Sequence, residues 1–200
     1  MTLDAGLPAP PQSDSLPLPP EGDRAILAIG APGPSFEGLI GVDGRTVGFS
    51  TLADRAALVL IFSSNRCPTA KAYIERMNSI QRTYGPRGVQ LVAINSNEPH
   101  LYPDESFARM AERAAEDGYA FPYVVDEGQR VARAYRAACT FHVFLLDRER
   151  RLRYQGRFDD ARLAHRVTSH DLRDALDDVL AGREVRTPTT RPFGCSLDFV

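Results

Sequence analysis

Apolar and polar positions along the chain change their period several times, and each change marks an element. Ala57 to Phe62 (ALVLIF) is an unbroken apolar run, as expected of a strand covered on both faces. Beyond it, Ala70, Tyr73, Ile74, Met77, Ile80 and Tyr84 recur at steps of three and four until Gly85-Pro86 stops the pattern, which predicts an amphipathic helix. Val89 to Ile94 predicts a second strand. After Pro103, Phe107, Met110, Ala111 and Ala114 line one face of a helix that ends at Gly118. Phe121 to Val125 reads as a short strand and Gln129 to Tyr135 as a short helix. Val143 to Leu146 and Leu152 to Tyr154 then form an antiparallel pair turning at Asp147 to Arg150. Thr168 and Asp171 suggest a capping box ahead of a last helix that carries Leu172, Leu176, Val179 and Leu180, with Gly182 at its end. Upstream of all this, short apolar stretches flank Asp43-Gly44, a dipeptide suited to a tight hairpin turn.

Strands alternating with helices, then a hairpin and a final helix, imply an α/β domain with a mixed sheet and helices on both faces. Three segments follow from the pattern. Residues 1–24 are proline-rich and lack periodicity, so an extended, poorly ordered tail is expected there. The domain occupies 25–183, and a C-terminal tail, 184–200, carries Cys195.

Composition narrows the partners. A balance of 24 basic against 26 acidic residues, mixed along the chain, gives no basic stripe for nucleic acid or anionic lipid. No stretch approaches the roughly 20 apolar residues that span a bilayer, and the N-terminus has no basic segment followed by an apolar run. A cytoplasmic protein without nucleic-acid or membrane partners is the expectation. Three cysteines, Cys67, Cys139 and Cys195, are too few for a secreted disulfide framework, and their odd number leaves one unpaired within a single copy.

The stretch SSNRCPTAKAY puts Cys67 between the long apolar strand and the first helix. There the helix dipole and the free amides of the first turn favour a thiolate. Pro68 suits the first helical position, and Ser64 or Asn65 can cap the exposed donors. The alternative is a buried cysteine acting as a small hydrophobe.

With these elements placed, the chain resembles the peroxiredoxin-like (AhpC/TSA, redoxin) branch of the thioredoxin fold. The resemblance rests on APGPSFEGLIGVDGRTV, LVLIFSSNRCPTAKAY, GVQLVAINSNEPHLYPDESFARM, FPYVVDEGQRVARAYRAAC, LRYQGRFDD and the tail GCSLDF. It implies a thioredoxin-like domain with an N-terminal β-hairpin extension, an antioxidant or disulfide-exchanging activity, and no organic cofactor. Two departures qualify the activity. Ala70 stands where thioredoxins carry the second cysteine of C-x-x-C. Of the peroxiredoxin pattern P-x-x-x-[TS]-x-x-C, Ser64 fills the hydroxyl position while Leu60 replaces the proline. The position of the later peroxiredoxin arginine, which is also that of the thioredoxin cis-proline, falls on Phe141. An ordinary trans bond at Thr140-Phe141 is therefore expected, as is slow peroxide chemistry, since a main electrostatic stabiliser is missing.

On the resembled fold, Cys139 precedes the strand that passes opposite the helix start, so it either approaches Cys67 or simply packs with Ala137 and Ala138. Cys195 either folds back as a resolving thiol or pairs between two copies in a homodimer. His142 acts as a base if it faces Cys67 and is otherwise a packed ring. Asp159 and Asp160 read as loop carboxylates, with Arg157 as an ion-pair partner. Converging thiols with His142 would also resemble a soft-metal site, but no close-spaced Cys/His array supports it, and no metal is assigned. The resulting expectation is a thiol-dependent redox protein in which Cys67 attacks a disulfide or peroxide and Cys139, Cys195 or an external thiol reductant resolves it. A slow one-cysteine peroxidase and a non-enzymatic ligand- or metal-binding module are the alternatives.

Overall fold

A computed structural model describes residues 26–197 and 199. Seven strands form one sheet: β1 (Leu39–Gly41), β2 (Thr46–Val47), β3 (Ala57–Ser63), β4 (Val89–Asn95), β5 (Tyr123–Val125), β6 (Val143–Leu146) and β7 (Leu152–Gly156), in the order β2-β1-β5-β4-β3-β6-β7. β3, β4 and β5 run parallel, while β1, β6 and β7 are antiparallel to their neighbours. Four α-helices complete the layers: α1 (Pro68–Tyr84), α2 (Phe107–Glu116), α3 (Arg130–Ala134) and α4 (Asp171–Leu180). The mixed sheet between helical layers is the α/β architecture expected from the pattern, with the hairpin β1–β2 turning at Asp43-Gly44. The expected 1–24 tail lies outside the described residues.

β3 is buried at every position, because successive side chains point to opposite faces and both faces are covered. Ala57, Val59 and Ile61 join Tyr73, Met77 and Ile80 of α1 and Leu172 and Leu176 of α4 in one core layer. Leu58, Leu60 and Phe62 join Val131 and Ala132 of α3, with Phe144 and Leu146, in the other. The start of α1 therefore sits at the C-terminal end of the central strand, above a packed sheet. Among the described residues no helix is long and apolar enough to cross a membrane.

Three local expectations are corrected. Phe107 is 41% exposed, and Met110 is the residue of α2 that is fully buried; the helix offers a narrow stripe to the core, and Phe107, in its first turn, lies off it. The Thr168–Asp171 capping box does not form, since α4 has His170 at its N-cap position and no side-chain cap. Competing partners take both side chains: Thr168 bonds Asp160 through amide and hydroxyl, and Asp171 accepts the Arg157 guanidinium at 2.8 Å. Arg157 thus pairs with neither Asp159 nor Asp160. Asp159 instead accepts the Tyr73 hydroxyl and Arg76, both at 2.5 Å, and ties α1 to the loop after β7.

The segment after α4 turns back along the molecule. Asp178 holds Arg183 and Arg186. Residues 188–190 then lie beside β7, with the Gln155 amide donating to the Pro188 carbonyl and the Thr190 amide to the Gln155 carbonyl. Gly156 is needed at this crossing, since a Cβ there would lie 2.2 Å from Thr190 Oγ1. From β7 the chain crosses towards the N-terminus of α1.

Candidate active site

The loop from Ser64 to Cys67 is wound around one oxygen. Ser64 Oγ accepts the backbone N–H of Arg66 and of Cys67, both at 3.1 Å, while its own hydrogen goes to Glu105 Oε1 at 2.5 Å. Asn65 does not cap the helix: its amide group donates to the Asp104 carbonyl and accepts the Tyr123 hydroxyl. Pro68 occupies the first helical position, and Cys67 is the N-cap residue. Its sulfur is directed at the opposite wall of the site.

That wall is the segment before β6. Thr140, 1% exposed, brings its hydroxyl to 3.1 Å from Cys67 Sγ. The same residue clasps the C-terminal segment. Its N–H donates to the Cys195 carbonyl at 2.8 Å, its Oγ1 accepts the Cys195 N–H at 2.9 Å, and its hydroxyl hydrogen has that carbonyl as a second acceptor at 3.1 Å. Gly194 makes this approach possible, since a Cβ there would stand 1.7 Å from the Thr140 carbonyl oxygen. The three thiols are unpaired, with Cys67 and Cys139 buried and Cys195 partly exposed.

The Cys195 side chain comes within hydrogen-bonding reach of Cys67 across the Thr140 clasp. Its hydrogen bond is the largest reason the Cys67 thiol is brought down to about 5; burial opposes it, and the Thr140 hydroxyl and the amides of Ala70 and Cys195 assist it. The same contact, with burial and the Cys67 charge, pushes Cys195 well up. Cys67 is thus the more acidic of the two thiols.

Cys139 is close enough to feel the Cys67 charge, but burial is the main reason its thiol is pushed up to about 12, so it stays protonated and poorly nucleophilic. His142 does not face Cys67. It is 5% exposed, its ring lies 4.2 Å from that of Phe144, and its Nδ1 accepts the Ala138 N–H. Burial brings it down to about 3, so it is a packed neutral ring that has already committed a ring nitrogen to the backbone. Among the described residues, no group of three or more His, Cys, Asp or Glu side chains is placed to hold a metal ion.

Phe141 floors the site. It is 1% exposed, stacks on Tyr73 at 4.2 Å, and neighbours Phe158. No cis peptide bond occurs among the described residues, so Thr140-Phe141 is trans as expected, but Phe141 has φ 69°, a left-handed conformation unusual for a bulky residue. Its N–H reaches the Phe62 carbonyl at 2.5 Å.

Thr140, Gly194 and Glu105 escaped the sequence reading. Thr140 and Gly194 lie inside the A-A-C-T and G-C-S stretches beside the cysteines and carry no spacing signal of their own; nothing around Glu105 distinguishes it from other acidic residues.

The sequence profile of the AhpC/TSA family matches residues 29–155. The thiol-disulfide oxidoreductase ResA of Halalkalibacterium halodurans is 28% identical over 113 residues, which cover 56% of this chain and 59% of that protein; the chain thus spans about three fifths of this relative's length. A hypothetical protein from Sinorhizobium meliloti 1021 superposes with a TM-score of 0.82 at 39% identity, over 88% of this chain and 97% of that one. A thioredoxin-like protein in its oxidised form shares the fold, with a TM-score of 0.61 at 20% identity, over 76% of this chain and 97% of that one.

Proposed function

The chain belongs to the AhpC/TSA family, and from that premise we propose that it is a thiol-dependent oxidoreductase whose working dithiol is Cys67 and Cys195. The observation that carries this reading is that Thr140 holds both residues at the start of α1, its hydroxyl 3.1 Å from Cys67 Sγ and its Oγ1 accepting the Cys195 N–H at 2.9 Å. A vicinal C-x-x-C pair is replaced by a pair separated by most of the domain, joined only when the C-terminal segment is docked.

The chemistry follows from the unequal acidity of the two thiols. The Cys67 thiolate attacks one sulfur of a disulfide R–S–S–R; that S–S bond breaks, RS⁻ leaves and takes a proton, and Cys67 carries the mixed disulfide Cys67–S–S–R. Consuming the thiolate removes two of the three leading influences that hold the Cys195 proton on, its bond to Cys67 and the Cys67 charge. Cys195 then loses its proton to solvent and attacks Cys67 Sγ, and the second RS⁻ departs. Two electrons have passed from the protein to the substrate, leaving a Cys67–Cys195 disulfide for an external thiol to reduce. Cys67 reacts before Cys195 because only it is ionised at neutral pH.

Disulfides are favoured over peroxides as substrate. The leading groups that hold Cys67 down are neutral donors, a thiol, a hydroxyl and amides, and an apolar ring fills the position where the resembled family carries its peroxide-binding arginine. Turnover of a small disulfide separates the roles. Cys67→Ser abolishes it, Cys195→Ser leaves one stoichiometric release of RSH and a trapped mixed disulfide, and Cys139→Ser leaves turnover within about twofold. Full turnover by Cys67→Ser would overturn the assignment.

A further inference from the structure

Glu105 is 3% exposed and enters the site from the turn before α2, about forty residues along the chain from Cys67. Each of its four contacts is with a donor: the Ser64 hydroxyl at 2.5 Å, the Asn65 N–H at 2.8 Å, the Arg66 N–H at 3.2 Å and the Asn95 side-chain amide at 3.0 Å. A buried carboxylate is tolerated where hydrogen bonds replace its lost hydration, and this one takes three of its donors from the loop that leads into Cys67 and the fourth from Asn95. The neighbouring Asn95 is itself fixed, its Oδ1 accepting the Asn97 N–H and side-chain amide.

The direction of one hydrogen bond gives this arrangement its consequence. A serine hydroxyl has one hydrogen and two lone pairs. Because Glu105 takes the hydrogen, both lone pairs of Ser64 Oγ are turned to the N–H groups of Arg66 and Cys67. The turn is therefore drawn tight around Ser64, which directs the Cys67 side chain at Thr140 and Cys195. We infer that Glu105 is a positioning residue for Cys67: through Ser64 and the Asn65 and Arg66 amides, it sets the loop that aims the reacting sulfur at Thr140 and Cys195. The inference rests on Cys67 being the reactive thiolate. A neutral side chain would not serve, since an amide at this place would turn its own hydrogens against donors and leave at least one loop N–H unpaired.

The test is the pH dependence of alkylation of Cys67, read peptide by peptide by mass spectrometry, in the full-length wild type and in Glu105→Gln, Glu105→Asp and Ser64→Ala, with each variant's melting temperature measured alongside. The wild-type midpoint is expected near 5. Glu105→Gln is expected to raise it by about one unit, roughly tenfold less thiolate below the midpoint; Ser64→Ala is expected to do the same with the carboxylate intact, and Glu105→Asp to recover at least half of the shift. If Glu105→Gln stays folded with the wild-type midpoint, or if all three variants lose melting temperature alike with no shift, Glu105 is structural filling and the inference fails. Should Glu105→Gln not fold, Ser64→Ala decides: an unmoved midpoint overturns the inference. A wild-type midpoint near the ordinary cysteine value would sink the dithiol reading, and this inference with it, whatever the variants do.

Discussion

Donors reach the Cys67 sulfur from three separate parts of the chain: the first turn of α1, Thr140, and Cys195 fifty-five residues beyond Thr140. The first of these was readable in SSNRCPTAKAY, because a cysteine between a buried strand and a proline-started helix fixes its own local field. Thr140 was not, and Cys195 stood only as one of two alternatives, because hydrogen-bond partners so far apart in sequence leave no spacing signal in a single chain. The same limit applied to His142, whose burial against Phe144 decides its state. Its folded pKa of about 3 lies below the ordinary 6.5, so the unfolded chain takes up a proton that the folded one refuses. The stability tied to the neutral ring is fully present above about pH 6.5 and is lost as pH falls towards 3. By pH 5 the loss reaches about 2 kcal/mol. Urea unfolding at a series of pH values should show this slope in the wild type and not in His142→Asn, whose side-chain oxygen can still accept the Ala138 N–H; equal acid slopes in both would contradict it.

Elements were legible where one periodicity covered the whole segment. β3, α1 and β4 were read to within a residue or two because burial on both faces or on one stripe dominates their composition. Errors arose at ends, where polar side chains choose among partners: Thr168 and Asp171 each found a non-local one and left the cap of α4 unmade. α2 shows the same lesson in apolar form. Met110 is fully buried and Phe107 is 41% exposed, so Met110→Ala should destabilise by about 2–5 kcal/mol and Phe107→Ala by under about 1 kcal/mol. Chemical denaturation measures both, and a larger loss for Phe107→Ala would reverse the assignment of faces.

At the scale of the whole molecule, the segment after α4 returns to the start of α1. The C-terminal segment is fixed at several points: beside β7 at 188–190, by Phe193 near the Tyr73 ring at 6.4 Å, by Gly194 and Cys195 at Thr140, and by Leu197, 8% exposed, in the second core layer. Sequence alone offered a tail with aromatic residues and a cysteine; it did not offer the seat, because that seat is built from residues of β7, α1 and the segment before β6. Gly194→Ala tests the docking, since the added methyl has no space against Thr140. It should slow formation of the protein disulfide at least tenfold and raise the Cys67 alkylation midpoint, while global stability changes little; wild-type kinetics would show that the segment is not held as described.

Disulfide mapping tests the dithiol most directly. Fully reduced protein is exposed to one equivalent of a small disulfide, quenched with an alkylating agent, unfolded, and digested for mass spectrometry. A Cys67–Cys195 cross-link as the main intramolecular product, with Cys139 recovered as a free thiol, is the predicted result. A Cys67–Cys139 cross-link, or Cys67 held as a stable mixed disulfide beside a free Cys195, would contradict it.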